Sequence, residues 1–150
     1  MRRVSLFLFL LALLATACAD TTAEEVYPPA NDVLLVSGGS AQKRYTKHDL
    51  QTLNTTQARF LEVNYVGVSL AALLRDAGFD PEKIKAVKAI AVDGFSANYD
   101  PELVNKSDTV VAYDRAEGPL AEGEAPFRMV LPGQEGKLNV RQMIEIQVIP

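Results

Sequence analysis

Cysteine and histidine are almost absent from this sequence, with one residue of each among 150. The single cysteine, Cys18, lies near the N-terminus. The rest of the chain therefore has no thiol for a disulfide, a thiolate nucleophile or a soft-metal site. A single histidine makes a histidine-based zinc cluster, or a Ser-His-Asp triad with a histidine to spare, implausible. The polar neighbours of this residue, His48, favour a solvated helix position over a catalytic role. We therefore assign no catalytic residue and no metal ligand.

Positive charge is also in deficit, with 15 Lys and Arg against 19 Asp and Glu and a formal net charge of −4. The balance becomes more acidic still without Arg2 and Arg3, which belong to an N-terminal segment described next. Nothing in the sequence resembles a basic stripe, so nucleic acid is excluded as a partner. The same balance disfavours electrostatic binding to anionic lipid.

The N-terminal residues 1–17 read as a secretory signal peptide, because two arginines precede an unbroken apolar run over residues 6–14. Small residues follow at positions 15–17, immediately before Cys18. This arrangement resembles a bacterial lipoprotein signal, in which the cysteine is lipidated and becomes the mature N-terminus. The alternative is ordinary cleavage after Ala17, which would release a soluble periplasmic protein.

Lipidation of Cys18 would make the membrane a partner, because acyl chains contribute about 0.8 kcal/mol for each buried methylene. We then expect the protein on the periplasmic face of a bacterial membrane. Ala19, rather than aspartate, follows the cysteine, and this favours the outer membrane. Residues 18–32 are small, acidic and proline-containing, and they read as a tether.

Residues 33–150 are predicted to form one mixed α+β domain. Three helical segments have good N-caps: Thr46 before residues 47–53, Ser69 before residues 70–77, and Asp100 before Pro101. Asp93-Gly94 predicts a two-residue hairpin turn. Strands are predicted at residues 33–36, 44–46, 87–92, 95–99, 109–113, 127–131 and 144–148. In the last of these, Ile144, Ile146 and Val148 should share one face.

The order of short motifs along this domain resembles the molybdopterin-binding domain of the sulfite oxidase family. The motifs are Gly67-Val68-Ser69-Leu70, Leu73-Leu74, Asp93-Gly94-Phe95-Ser96, Ala112-Tyr113, Gly118-Pro119-Leu120, residues 126–133 and residues 136–148. The resemblance covers about residues 33–150 and implies a sulfite-oxidase-type fold with mixed sheets and short helices. In complete members it also implies molybdenum bound by a pterin dithiolene, with chemistry of oxygen-atom transfer.

The sequence departs from this family at the position of the metal ligand. Complete members supply a cysteine thiolate ahead of the Gly-Val helix, because a soft, deprotonated sulfur donates charge to the metal. Here the corresponding residues 53–66 contain no cysteine, and Thr55 and Thr56 offer only hydroxyl groups. The family's cofactor-holding Asn, Arg and His segment is also replaced by the tether. We therefore expect no bound cofactor, with molybdopterin as the alternative.

Five residues are candidate cofactor contacts by this resemblance: Arg128, Gly136, Lys137, Asn139 and Arg141. The last four lie in the segment that matches the family's phosphate-gripping loop, and Arg141 could bind an anion through a bidentate contact. The alternative for this segment is a solvated hairpin carrying two cations. For Arg128, the alternative is a strand-edge arginine paired with a carboxylate.

Two classes of function follow. The first is a cell-envelope binding module for a small ligand or an envelope protein partner, which has the family fold but lacks molybdenum catalysis. The second is a molybdopterin-dependent oxidoreductase with an atypical metal site. A purely structural lipoprotein is a third option, and it should have no pocket with convergent polar groups.

Overall fold

The computed structural model describes residues 32–150. The predicted signal peptide, the predicted lipidation site Cys18 and all of the predicted tether except Asp32 lie outside the described residues. The strands are β1 Val33–Gly38, β2 Ala41–Thr46, β3 Thr55–Phe60, β4 Val63–Ser69, β5 Ala86–Ala91, β6 Ser96–Tyr99, β7 Val110–Arg115, β8 Gly118–Pro119, β9 Arg128–Val130 and β10 Met143–Ile149. The helices are α1 Lys47–Gln51, α2 Leu70–Asp76 and α3 Pro101–Asn105, with a 3-10 helix at Gly136–Leu138.

The first sheet has the strand order β2-β1-β10-β5-β6. Its two hairpins, β1–β2 and β5–β6, are antiparallel and are joined by β10, which runs parallel to β1 and antiparallel to β5. The last strand of the chain therefore lies at the centre of this sheet. The C-terminal residues close the core between two hairpins formed much earlier in the chain.

The second sheet has the order β3-β4-β7-β8, and β9 also pairs with β7. Gly67 in β4 is required here, because a Cβ at this position would lie 2.1 Å from the carbonyl oxygen of Val111 in β7. The absence of a side chain lets the two strands approach across a register shift between Val66 and Gly67. This sheet carries the polar groups of the candidate site.

The main core contains buried side chains from both sheets and from α2, so the domain has a shared interior. Leu70, Leu73 and Leu74 are fully buried on one face of α2, as their helical spacing predicted. The Ser69 hydroxyl accepts a hydrogen bond from the Ala72 amide, which confirms the predicted N-cap. The mixed α+β fold with short helices is confirmed.

The structure differs from the sequence prediction in several places. The β3–β4 hairpin and the short β8 were not predicted, because residues 55–69 show no clean alternation of apolar and polar side chains. Two further differences are local. Helix α1 ends at Gln51, before the predicted Leu53, and the Thr52 amide closes it onto the His48 and Asp49 carbonyls. In β10, Met143 is buried in place of Ile144, because the register with β5 shifts between Met143 and Glu145. The shift breaks the simple alternation expected over residues 144–148.

No helix within residues 32–150 is long and apolar enough to cross a membrane.

Candidate functional site

The loop between β9 and β10 holds four of the five candidate cofactor contacts. It is built around Asn139, whose side chain is 3% exposed. The Asn139 Oδ1 atom accepts a hydrogen bond of 2.8 Å from the Leu131 amide, and its Nδ2 donates to the Glu135 carbonyl at 3.1 Å. The Asn139 amide thus fixes the path of the loop through one accepted and one donated hydrogen bond. One N–H and one lone pair of this amide remain without a partner in these bonds.

The two cations of this loop have different surroundings. The Lys137 ammonium lies 2.8 Å from a Glu135 carboxylate oxygen, and both side chains are 71% exposed. This hydrogen bond raises the pKa of Lys137 and lowers the pKa of Glu135. Arg141 is exposed and has no hydrogen bond or ion pair with another residue of the described range 32–150. Its guanidinium is therefore the available cation of the loop.

Two cavities meet at this loop and share Gly136, Asn139 and Arg141 in their walls. The first, of about 590 Å³, extends towards Asp93 and Phe95 in the β5–β6 hairpin. The second, of about 390 Å³, extends towards β3, β4 and β9. We call them the hairpin cavity and the arginine cavity. Their volumes fall in the range of small-molecule sites.

The arginine cavity is backed by a buried ionic cluster. Glu124 is 7% exposed and its two carboxylate oxygens bind different arginines. Its Oε1 accepts hydrogen bonds from Arg128 at 2.6 Å and from the Tyr65 hydroxyl at 2.7 Å. Its Oε2 accepts from Arg115 Nε at 2.9 Å and from the Ala121 amide at 3.2 Å. One carboxylate thus joins β4, β7, β9 and the preceding loop.

This cluster keeps Glu124 ionised. Burial alone would raise the pKa of its carboxyl, but hydrogen bonds from Tyr65, the Ala121 amide and Arg115, with the charge of Arg128, outweigh burial. The pKa of Glu124 is therefore below its ordinary value. Burial, and then the hydrogen bond to Glu124, raise the pKa of Tyr65, which stays a neutral donor.

Arg128 is buried within this cluster and is held mainly through its Nη1 atom. Its side chain is 4% exposed, and its guanidinium lies 4.5 Å from the ring centroid of Tyr65 and 5.6 Å from that of Phe60. Its Nη1 donates to Glu124 and to the Tyr65 hydroxyl, while its Nε is buried without a hydrogen-bond partner. The geometry matches the alternative of an arginine paired with a carboxylate, although the residue is buried and not at an exposed strand edge.

The structure therefore places all five candidates on the walls of the two adjoining cavities, but their surroundings differ. Gly136, Asn139 and Arg141 line both cavities, Lys137 lines the hairpin cavity, and Arg128 lines the arginine cavity. Sequence reasoning missed Tyr65, Arg115 and Glu124, which also line the arginine cavity. The spacing of four residues between Glu124 and Arg128 was a weak indication that the two side chains form an ion pair. Nothing in the sequence indicated Tyr65, which is distant along the chain.

The residues present do not fit a molybdenum centre of the type that the family resemblance implies. The stretch that should carry the cysteine ligand forms β3, a tight turn and β4, and it places Phe60, Leu61, Val63 and Tyr65 on the arginine cavity. These side chains offer aliphatic groups, aromatic rings and a neutral phenol, none of which is a soft anionic donor. Within residues 32–150, no three or more His, Cys, Asp or Glu side chains are grouped so that they could hold a metal ion.

Comparisons with known proteins agree with the fold. A family model described as the oxidoreductase molybdopterin binding domain matches residues 26–150. Among solved structures, the chain is similar to the sulfane dehydrogenase SoxCD from Paracoccus pantotrophus, with a TM-score of 0.66 and 24% sequence identity. The similarity covers 83% of this chain and 40% of the SoxCD chain, so this chain spans less than half of that length. No curated protein matches the sequence.

Proposed function

This chain belongs to the oxidoreductase molybdopterin binding domain family, and from this membership we propose that it is a binding module of the cell envelope that takes a small anionic ligand at the β9–β10 loop. In this proposal the domain has the family fold and performs no molybdenum catalysis. The observation that carries it is Arg141, an exposed arginine at the junction of two cavities with no ion pair to another residue within 32–150.

The charge distribution around the loop supports an anion as the ligand. Arg115 and Arg128 share the single charge of Glu124, so the arginine cavity retains one positive charge before Arg141 is counted. The hairpin cavity also contains a negative charge, on Asp93. The Asp93 carboxylate accepts a hydrogen bond from the Phe95 amide within its own turn. An anion seated between Arg115 and Arg141 would have charge-assisted hydrogen bonds available to it. Convergent polar groups of this kind count against a purely structural lipoprotein.

The absence of molybdenum catalysis is inferred from donor chemistry. A thiolate is the ligand that the family resemblance requires, and the corresponding stretch contains none. Arg128, which matches an arginine of the family pattern, is neutralised by Glu124 within the fold. We therefore propose that this chain does not catalyse oxygen-atom transfer.

The envelope location is inferred from the N-terminal sequence. Arg2 and Arg3, the apolar run over residues 6–14 and the small residues before Cys18 support export. In this proposal Cys18 carries lipid and anchors the domain on the periplasmic face of the membrane.

A molybdopterin-dependent oxidoreductase is the second candidate, and family membership favours it. It requires a non-cysteine ligand or a residue from a partner chain to complete the metal site. It predicts one molybdenum and one pterin per chain.

The deciding experiment is elemental analysis for molybdenum with pterin fluorescence, on protein purified from a bacterial host that makes the cofactor. We expect folded protein without molybdenum. Stoichiometric molybdenum would overturn the non-catalytic proposal and redirect the work to oxygen-atom-transfer substrates.

Anion binding is tested separately by titrating the protein with inorganic phosphate and following backbone amide shifts. We expect the largest shifts in residues 136–141 and a weaker affinity in Arg141→Lys, which retains the charge but loses the planar fork. Arg75→Lys, on the exposed end of α2, is the matched control and should bind as the wild type does. Uniform small shifts over the whole surface would contradict the assigned site.

A further inference from the structure

A third depression in the surface shares no lining residue with the two cavities above. It has a volume of about 420 Å³, and its buried wall is formed by Tyr113, Leu120 and Phe127. Pro119 and Pro126 add further apolar surface, and Lys47 and His48 of α1 form an exposed edge. We call this depression the proline groove.

The polar groups of the proline groove are largely used within the fold. The Lys47 ammonium lies 2.6 Å from an Asp114 carboxylate oxygen. The Tyr113 hydroxyl lies 3.2 Å from the Thr55 hydroxyl, so this hydroxyl already has a partner within the fold. The groove therefore suits an apolar occupant and is poorly suited to an anion.

The chain itself enters the fold at this groove. Asp32, the first residue that the structure describes, is part of the groove wall. The family match begins at residue 26, so six further residues upstream of Asp32 belong to the domain by sequence. These residues are Val26, Tyr27, Pro28, Pro29, Ala30 and Asn31, and their first four are apolar or aromatic.

The chemistry of this short segment fits the groove. Consecutive prolines favour an extended polyproline conformation, and grooves lined by aromatic side chains bind such segments. Tyr27 lies five residues before Asp32, a distance of at most roughly 17 Å along an extended chain. The segment is therefore long enough to lie in a groove that begins at Asp32 itself.

We propose that residues 26–29 of the same chain bind in the proline groove, with Tyr27 and the two prolines against Tyr113, Leu120 and Phe127. The folded unit then begins at residue 26, where the family match also begins. This proposal is independent of the anion site, because the groove shares no residue with it.

His48 provides a probe of the groove, because it is the only histidine in the chain. In the full-length protein we expect nuclear Overhauser effects from its imidazole protons to side chains of residues 26–29. Tyr27→Ser should shift the imidazole resonances, whereas the matched control Glu25→Ser should leave them in place. Identical His48 resonances in the wild type and both variants would overturn the proposal. A shift that depends on protein concentration would assign the groove to a second copy and would also overturn it.

A cross-linking experiment tests the same proposal without relying on chemical shifts. In the full chain carrying Cys18→Ser, Pro28→Cys is combined with Pro119→Cys in the groove or with Glu62→Cys in the exposed β3–β4 turn. We expect an intramolecular disulfide in most molecules of the first pair and little in the second. Equal yields in the two pairs, or intermolecular disulfides alone, would overturn the proposal.

Discussion

The buried arginine of β9 and the exposed arginine of the neighbouring loop match the same family pattern, yet the fold treats them in opposite ways. Arg128 is surrounded by Glu124, Tyr65 and Phe60 and is 4% exposed. Arg141 is exposed at the junction of two cavities, with no ion pair inside the described part of the chain. Both face the arginine cavity, but only one has a free guanidinium.

The difference separates an arginine that stabilises the fold from an arginine that is available for the proposed binding. A buried charge must be paired, because an uncompensated ion in the interior costs several kcal/mol. Glu124 supplies that compensation and ties three strands together. Once Arg128 is neutralised, its charge contributes little to a ligand. Under the proposed function, anion recognition therefore depends on Arg141.

The comparison is tested most severely by Glu124→Ala. This change leaves Arg128 buried without a counter-charge, and we expect a loss of about 3–5 kcal/mol in the free energy of unfolding. Denaturant unfolding followed by circular dichroism measures this loss. The control Glu62→Ala removes a carboxylate from a 91% exposed side chain and should change stability by less than about 0.5 kcal/mol. Equal effects of the two changes would show that the buried cluster does not hold the fold.

The pH dependence of stability should reflect the same cluster. The pKa of Glu124 in the folded state is below the ordinary value of 4.5, so its stabilising contribution is fully present above that value. The contribution is lost as pH falls from there through the folded-state pKa. We expect the denaturation midpoint to be nearly constant from pH 7 to about 5 and to fall below about pH 4.5.

Glu124→Gln should flatten this decline, whereas Glu62→Gln should retain the wild-type slope. Some slope will remain in both variants, because the pKa values of Asp49 and Asp76 are also lowered by their hydrogen bonds. An unchanged slope in Glu124→Gln would contradict the assigned state of the cluster.

Arg141→Ala should affect binding and leave stability unchanged. Losing a charge-assisted contact to an anion should weaken phosphate binding about ten- to a hundredfold, as measured by titration calorimetry. The thermal midpoint should stay at the wild-type value, because Arg141 has no ion pair with another residue in the range 32–150. A large fall in the thermal midpoint would instead place Arg141 among the structural residues, with Arg128.

Lys137→Ala should have the smallest effect. The Lys137 ammonium is exposed and already paired with Glu135, so its removal should weaken phosphate binding less than about threefold. The same titration measures this change. A loss as large as that of Arg141→Ala would show that both cations of the loop bind the anion.

The helix caps and the turn of this domain could be predicted from the sequence because they depend on neighbouring residues. Thr46 and Asp49 form the reciprocal cap of α1, and Asp100 accepts the Leu103 amide at the start of α3. The sequence also located the β5–β6 turn at Asp93-Gly94, where the glycine has a positive φ of 85°. The loop is longer than the two residues predicted, because Ile90 pairs with Ser96 and the Ala91 amide donates to the Phe95 carbonyl. In each case the partners lie within a few residues, so a short window of sequence contains the whole interaction.

The candidate site could be predicted only in part. Its loop was recognisable from residues 136–141, but the roles of the side chains in it were not. Asn139 is hydrogen-bonded to Leu131 and Glu135, and this follows from the path of the loop. The Glu124 cluster depends on contacts such as the one between Tyr65 and Glu124, which are 59 residues apart. No local pattern encodes such a contact.

The sequence by itself determined the α+β class, the capped helices, the family resemblance and the lack of a thiolate in the expected ligand position. The tertiary structure alone decided which arginine is neutralised and which remains free. The physical reason is that a charge acquires its role from the groups around it. Pairing between strands that are distant in the sequence places such groups around Arg128. Within residues 32–150, the same pairing places no counter-charge beside Arg141.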